Sequence, residues 1–426
     1  MSTTRRDFLK RAAALSPWPT IITSGALGSR AAYGQGATPP ASERLRFGVI
    51  GCGGQGRGNM GPHLKDIVAV ADCDLKRAGD AATAVTKAGG TAEVYQDYRK
   101  MLERKDIDAV LISTPDHWHA LATIHSCMAG KDVYCEKPLT LTVAEGRAMV
   151  NAARKYGRVV QTGSQQRSSK EFRLACELIR NKKIGKIKEI QVGIPGVNYS
   201  GKDEPNAPVP AELNYDLWLG PAPFRPYNPR HVHYNFRFFW PFSGGQMTNW
   251  GAHHLDIVQW ALGMDDSGPV KIEGKPTYKD GQVWDVPAES NITYTYADGT
   301  VVHCGNKNRG GITFIGEEGT VYVTRGKIET TPTELATTVW TDKDIKLYTS
   351  PGHHNDWLNC IKSRKNPICD VEIGHRSATV CHLGNISMRV GRTLTWDPVK
   401  ETIVGDDEAA RRLTYDYRSP YVMPTI

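Results

Sequence analysis

The residues with the clearest chemical meaning come early. Gly51-Cys52-Gly53-Gly54-Gln55-Gly56 is a complete GxGxxG and directly follows an apolar run, Leu45 to Ile50. Its glycines allow a tight turn and close approach of backbone to a pyrophosphate, and the following helix start offers free N–H groups. A second apolar run, Ile67 to Ala71, ends at Asp72, 21 residues after Gly51. An acid there accepts hydrogen bonds from the adenosine ribose and repels a 2′-phosphate, which favours NAD over NADP. Lys76 and Arg77 stand close by and pull the other way. The cofactor-binding candidates from this stretch are Gly51, Gly53, Gly54, Gln55, Gly56 and Asp72.

These residues require strands and helices in alternation. Strands are expected over 108–113, 132–135 and 158–162, with helices over 120–129 and 143–156, a pattern that implies a parallel doubly wound sheet. Ligands of such a sheet gather at the carboxyl ends of its strands. Three polar clusters fall there: Thr114-Pro115-Asp116-His117-Trp118-His119, Glu136-Lys137-Pro138, and Gly163-Ser164-Gln165-Gln166-Arg167. Any one could be an ordinary polar loop; three strand ends together favour a site.

The GxGxxG turn, the strand-end Asp72, the Thr-Pro-x-x-x-His loop and Glu136-Lys137-Pro138 together resemble the glucose–fructose oxidoreductase/inositol dehydrogenase/rhizopine catabolism (Gfo/Idh/MocA) family over nearly everything after residue 44. The resemblance implies Lys137 beside a nicotinamide and a reacting hydroxyl, and Glu136 near the nicotinamide ribose. It adds Thr114, Pro115, His119 and Gln165 to the cofactor-binding candidates. A second family signature, Gly-Gly followed by Asp-x-x-x-His, is matched by Gly244-Gly245 and His253, but Asn249 stands where the family has aspartate. Asparagine keeps shape and a hydrogen bond but cannot exchange a proton. Asp256, three residues beyond His253, is expected to orient it if 252–262 is helical.

Beyond the first domain the sequence reads as a helix over 170–182 and a strand over 186–194. Seven prolines lie in 203–229, the mark of a lid or a subunit-contact arm. The stretch 231–240 concentrates aromatics around Arg237, as a core strand or as a surface that stacks on a sugar. Hairpins are expected around Asp298-Gly299 and Glu317-Glu318-Gly319, hence an antiparallel sheet. His353, His354, His375 and His382 match no familiar metal spacing and read as helix caps and packing; no metal is expected.

The expected fold class is α/β: an N-terminal Rossmann domain over 44–165 with a doubly wound parallel sheet, then a substrate-binding α/β domain over 166–426 with a large, mainly antiparallel open sheet. The expected catalytic residues are Lys137 for the alkoxide, His253 as proton acceptor, and Asn249. Arg167, Arg237, Trp250, His253 and His254, with Lys137, are expected to position a sugar, polyol or glycoside. Simple hydride transfer from a hydroxyl, a redox-neutral glycoside hydrolysis through a ketone, and a non-catalytic sugar- and NAD-binding role all remain open. The resemblance further implies a homo-oligomer, a dimer or tetramer.

Composition fits this picture: 40% hydrophobic and 23% charged residues are those of a globular chain. The net charge of +8 falls to +4 without the leader's net four positive charges, and no basic run interleaved with aromatics suggests nucleic acid. The leader begins Thr4-Arg5-Arg6-Asp7-Phe8-Leu9-Lys10, a twin-arginine signal rather than a chance pair in a disordered tail, with cleavage expected after Ala31 and a linker over 32–43. Export by the twin-arginine machinery, to the periplasm or to a membrane-attached state if the signal stays uncleaved, carries folded proteins. It therefore suits an enzyme that takes its cofactor with it. Nine cysteines without a CxxC pattern read as buried thiols.

Overall fold

The computed structural model describes residues 44–426; the signal and linker expectations lie outside the described residues. Strands β1 (Phe47–Ile50), β2 (Ile67–Ala71), β3 (Glu93–Tyr95), β4 (Ala109–Ile112), β5 (Asp132–Cys135) and β6 (Val160–Thr162) form an all-parallel sheet in the order β3-β2-β1-β4-β5-β6. All residues of β1, β4 and β5 are buried, as an unbroken apolar run requires when helices cover both faces. The order reverses between β1 and β4, so Gly51 and Ser113 flank the crevice where such sheets bind ligands. Local signals set the helices. Asp74 accepts from the Lys76 and Arg77 N–H groups at the start of Leu75–Lys87, and Thr142 with Glu145 closes a capping box at Val143–Lys155.

The second sheet contains β7 (Ile187–Gly193), β8 (Lys271–Thr277), β9 (Glu289–Thr295), β10 (Val301–Gly305), β11 (Gly311–Gly316), β12 (Thr320–Thr324), β13 (Lys327–Thr331), β14 (Leu394–Asp397) and β15 (Thr402–Ile403). Its order is β13-β12-β11-β7-β10-β9-β8-β14-β15, antiparallel except for the β7–β10 pair. Both expected hairpins are present, β9–β10 and β11–β12. Helices Lys170–Arg180, Ala252–Leu262 and Val371–Val390 share one hydrophobic core with these strands.

Two expectations need correction. The aromatic stretch 231–240 is not a strand; it is a loop with a 3₁₀ turn at Asn235–Phe238, because Phe239 and Phe242 bury into a separate cluster with Trp218 and Leu219. The helix expected from Ala120 begins at Asp116, so the Asp116–His119 cluster is helical rather than loop. The halves also interleave. Helix His353–Ser363, late in the chain, packs Trp357, Cys360 and Ile361 against Phe47 and Val49 of the first sheet. Tyr421, near the end, joins the core beneath Trp118.

All nine cysteines are free thiols, and eight are buried. The histidines make packing contacts: His353 Nε2 lies 3.1 Å from the Thr162 carbonyl, His375 Nε2 lies 2.7 Å from Glu401 and His382 Nε2 lies 2.9 Å from the Thr140 carbonyl. Among the described residues no helix is long and apolar enough to cross a membrane.

Candidate active site

One cavity of about 480 Å³ runs along the carboxyl ends of β1, β2, β4 and β5. Gly51, Gly53, Gly54, Gln55 and Asp72 line one part; Thr114, Pro115, Asp116, Glu136, Lys137, Arg237, Ser243 and Asn249 line another. The glycines are needed where they stand. Gly51 has φ +88°, and a Cβ there would meet the backbone of Ser113 and Thr114 at 2.7–2.8 Å. A Cβ on Gly56 would lie 2.0 Å from the Gly51 carbonyl. Asp72 is held at both oxygens: the Cys52 N–H donates to Oδ2 (2.7 Å) and the Asp74 N–H to Oδ1 (2.9 Å).

At the other part, β5 ends in Glu136 and Lys137. Glu136 Oε1 accepts from the side-chain amides of Gln55 (3.0 Å) and Asn59 (2.9 Å), which ties this strand end to the first helix. Lys137 Nζ donates to Asn249 twice, to its carbonyl (3.0 Å) and to its Oδ1 (2.8 Å). Asn249 Nδ2 donates in turn to Gln246 Oε1 (3.0 Å). Asparagine thus keeps the positioning of the lysine from across the domain boundary while carrying no charge. Burial lowers the Lys137 ammonium below its ordinary value, against the pull of Glu136 and Asp116.

The proline-rich arm walls the cavity. The Asn214 N–H donates to the Cys73 carbonyl (2.9 Å), the Leu75 N–H donates to the Glu212 carbonyl (3.0 Å), and His233 Nε2 lies 3.1 Å from Asp74 Oδ2. Leu217 and Trp218 of the arm, with His233, Tyr234 and Phe236 of the aromatic stretch that follows it, line the cavity. Arg237 stacks on Tyr234 at 4.1 Å, and its buried Nε has no partner among the described residues.

Several expected site residues stand elsewhere. Arg167 does not face the cavity: it is 1% exposed and its guanidinium is spent on Asp256 (2.9–3.0 Å) and Asp265 (2.7 Å). Asp256 therefore holds Arg167 and Ser377 rather than His253. His119 is buried with its ring nitrogens 2.8 and 2.9 Å from the Pro138 and Thr114 carbonyls, so it fixes two loops instead of touching a ligand. Gln165 is exposed and outside the cavity wall. Trp250 packs on both His253 and His254, and none of the three lines the cavity. Burial, then Lys137 and Arg325, hold His253 well below the ordinary imidazole value, and its buried Nδ1 has no partner among the described residues. Residues that sequence reasoning left out are Asp116, Ser243, Asn59 and His233. Of these, Asp116 stood in a strand-end cluster and His233 in the aromatic stretch, both already singled out.

Residues 45–164 match the model described as oxidoreductase family, NAD-binding Rossmann fold, and residues 195–423 match that of the oxidoreductase family, C-terminal alpha/beta domain. The chain belongs to the Gfo/Idh/MocA oxidoreductase family. Among curated members, inositol 2-dehydrogenase of Klebsiella pneumoniae subsp. pneumoniae is 38% identical over 123 residues, 28% of this chain and 36% of that one. Inositol 2-dehydrogenase of Salmonella typhimurium is 29% identical over 173 residues, 40% of this chain and 50% of that one. The chain thus spans about half the length, or less, of these curated relatives. Solved structures share the fold. The WlbA dehydrogenase of Bordetella pertussis, in complex with NADH and UDP-GlcNAcA, is 20% identical with a TM-score of 0.62, covering 84% of this chain and 99% of that one. Aldose-aldose oxidoreductase of Caulobacter crescentus is 17% identical with a TM-score of 0.61, covering 83% and 100%.

The residues present fit the cofactor that the Gfo/Idh/MocA family implies. The cradle at Gly51 tolerates no side chain, Asp72 offers an oriented carboxylate to a ribose diol, and Thr114 lines the cavity with a buried Oγ1 that has no partner among the described residues.

Proposed function

We propose that this protein is an NAD-dependent oxidoreductase that oxidises a hydroxyl of a sugar, polyol or glycoside, with its cofactor held tightly and recycled in place. We further infer that its leader sends the folded, loaded protein out by the twin-arginine route. The observation that carries the reading is the single cavity that joins Asp72 to Lys137, with Asn249 of the second domain fixing the lysine. When bound, NAD supplies the hydride acceptor. Gly51, Gly53 and Gly54 leave room for a pyrophosphate, Asp72 takes the ribose hydroxyls, and Glu136 and Thr114 hold the dinucleotide nearer the lysine. Lys137 stabilises the oxygen as negative charge develops on it. Arg237, stacked and without a carboxylate partner, orients the substrate. Its relatives' names, inositol 2-dehydrogenase among them, support a polyol or sugar.

Retention is supported by the arm, whose backbone and His233 close over the residues that follow Asp72. Outside the cytoplasm a dissociated cofactor is lost, so an exported member needs such a closure. The test is to purify the exported protein, desalt it, denature it and assay the supernatant for nicotinamide dinucleotide. Near-stoichiometric NAD is expected, and none would overturn retention. Incubation with a panel of polyols, aldoses and aryl glycosides then separates the chemistries: ketone with reduced cofactor for oxidation, released aglycone without it for redox-neutral hydrolysis, and neither for a binding protein.

A further inference from the structure

Removing hydride from a carbinol carbon obliges some group to take the hydroxyl proton. Lys137 as an ammonium cannot, and Asn249 cannot at all. His253, whose Nδ1 has no partner among the described residues, is buried behind the cavity wall; among the residues that line the Lys137 part of the cavity, two carboxyls remain. Glu136 is occupied by the amides of Gln55 and Asn59. The other is Asp116, the first residue of helix Asp116–Met128, 7% exposed.

Asp116 is set up unlike a structural aspartate. It has no ion pair among the described residues. The Ser243 hydroxyl donates to its Oδ2, and among the described residues no other side chain donates to the carboxyl. Ser243 belongs to the second domain and lines the same cavity, so the carboxyl is fixed across the cleft just as Lys137 is fixed by Asn249. Burial raises the Asp116 carboxyl above the ordinary aspartate range, while His119, the Ser243 hydroxyl, Lys137 and Arg237 draw it down. The Cys135 thiol is a further titratable neighbour. A carboxylate of raised basicity beside a cation is the pairing that proton abstraction from an alcohol needs.

We propose that Asp116 is the proton acceptor for the reacting hydroxyl. The O–H bond breaks and its proton passes to the Asp116 carboxylate. The C–H bond breaks and its electron pair leaves with the hydrogen to the nicotinamide dinucleotide. The C–O bond becomes a carbonyl, while Lys137 faces the oxygen. The inference rests on the oxidoreductase reading and names a residue within it.

Two measurements test it. The first needs no turnover: carboxyl ¹³C resonances of aspartate-labelled holoprotein are followed against pH. One resonance absent from Asp116→Asn is expected to titrate above the ordinary aspartate range, and to move higher still in Lys137→Ala, which removes the ammonium's pull. The second is single-turnover reduction of the retained dinucleotide by the same panel of polyols, aldoses and aryl glycosides. Because the acceptor must be ionised, the rate is expected to rise with pH through this titration. Asp116→Asn is expected to lower the rate by about 10²–10⁴ and abolish that acid limb, with dinucleotide content and KM little changed. Asp116→Glu should restore part of the rate. An Asp116→Asn rate within a few-fold of wild type overturns the proposal, as does an acid limb that vanishes in His253→Ala instead, or a resonance that ignores Lys137→Ala. If no compound in the panel is oxidised, the oxidoreductase reading fails and takes this proposal with it, whatever the resonance shows.

Discussion

The two parts of the cavity are assembled differently. Around Asp72 the groups come from neighbouring strand ends, β1 and β2, and the parallel ladder between those strands brings them together. Around Lys137 they come from both domains: Asp116 and Lys137 from the first, Arg237, Ser243 and Asn249 from the second. In the first part, backbone geometry does the work, through a glycine turn and N–H groups that grip a carboxylate. In the second, side chains meet by hydrogen bonds over long sequence separations, Lys137 to Asn249 and Ser243 to Asp116. A ladder is specified by a few contiguous residues. A meeting across two domains is specified only when both cores, and the helices that return from the second half to the first, are in place.

The sharpest way to break this contrast is at Arg167, expected from its strand end to bind substrate but found in a buried ion pair. Arg167→Ala should cost about 3–5 kcal/mol of unfolding free energy, since it strands Asp256 in the interior. Chemical denaturation measures this. A weaker KM with unchanged stability would return Arg167 to the substrate site.

Lys137→Ala should slow hydride transfer by about 10²–10³ in single turnover while dinucleotide content after desalting stays as in the wild type. His253→Ala, off the cavity wall, should cost less than Lys137→Ala. The reverse order would place the chemistry in the second domain.

The join between the halves is open to acid. Against the cost of burial, hydrogen bonds from Arg147 and Arg376 hold the Glu372 carboxyl at about 2, below its ordinary 4.5. Arg147 sits on the first domain's helix Val143–Lys155 and Glu372 on Val371–Val390. A carboxyl lowered by folding contributes its stability above pH 4.5 and loses it as pH falls toward about 2. Thermal unfolding across that window should show a loss of about 1–3 kcal/mol. Arg147→Ala should lower stability at neutral pH and flatten the fall; an unchanged profile would detach the join from this pair.

The smallest effect is expected at the arm. His233→Ala removes one contact to Asp74, about 0.5–1.5 kcal/mol, and should speed dinucleotide release up to about tenfold. Release rates equal to wild type would mean that the arm's backbone contacts alone keep it closed.

The sequence by itself determined the elements and the glycine turn. Apolar runs with strand lengths, glycines where a Cβ collides with backbone, and an acid at the end of β2 are local demands, and local residues meet them. It also showed Lys137 at a strand end, and both hairpins. It misplaced what depends on partners far along the chain. Asp116 read as part of a polar loop because the helix was expected only from Ala120, although Pro115 and an acid in the first turn are a fair helix start. Arg167 read as a ligand because nothing near it in sequence reveals Asp256 and Asp265. The aromatic stretch read equally as a core strand or a stacking surface, because its burial is decided by Trp218 and Leu219. A charged side chain at a strand end can face a cavity or be neutralised in the interior, and the difference is whether a carboxylate from another element reaches it first. Tertiary structure settled that, burying Arg167 against two aspartates while leaving Asp116 with one hydroxyl and an open cavity beside Lys137.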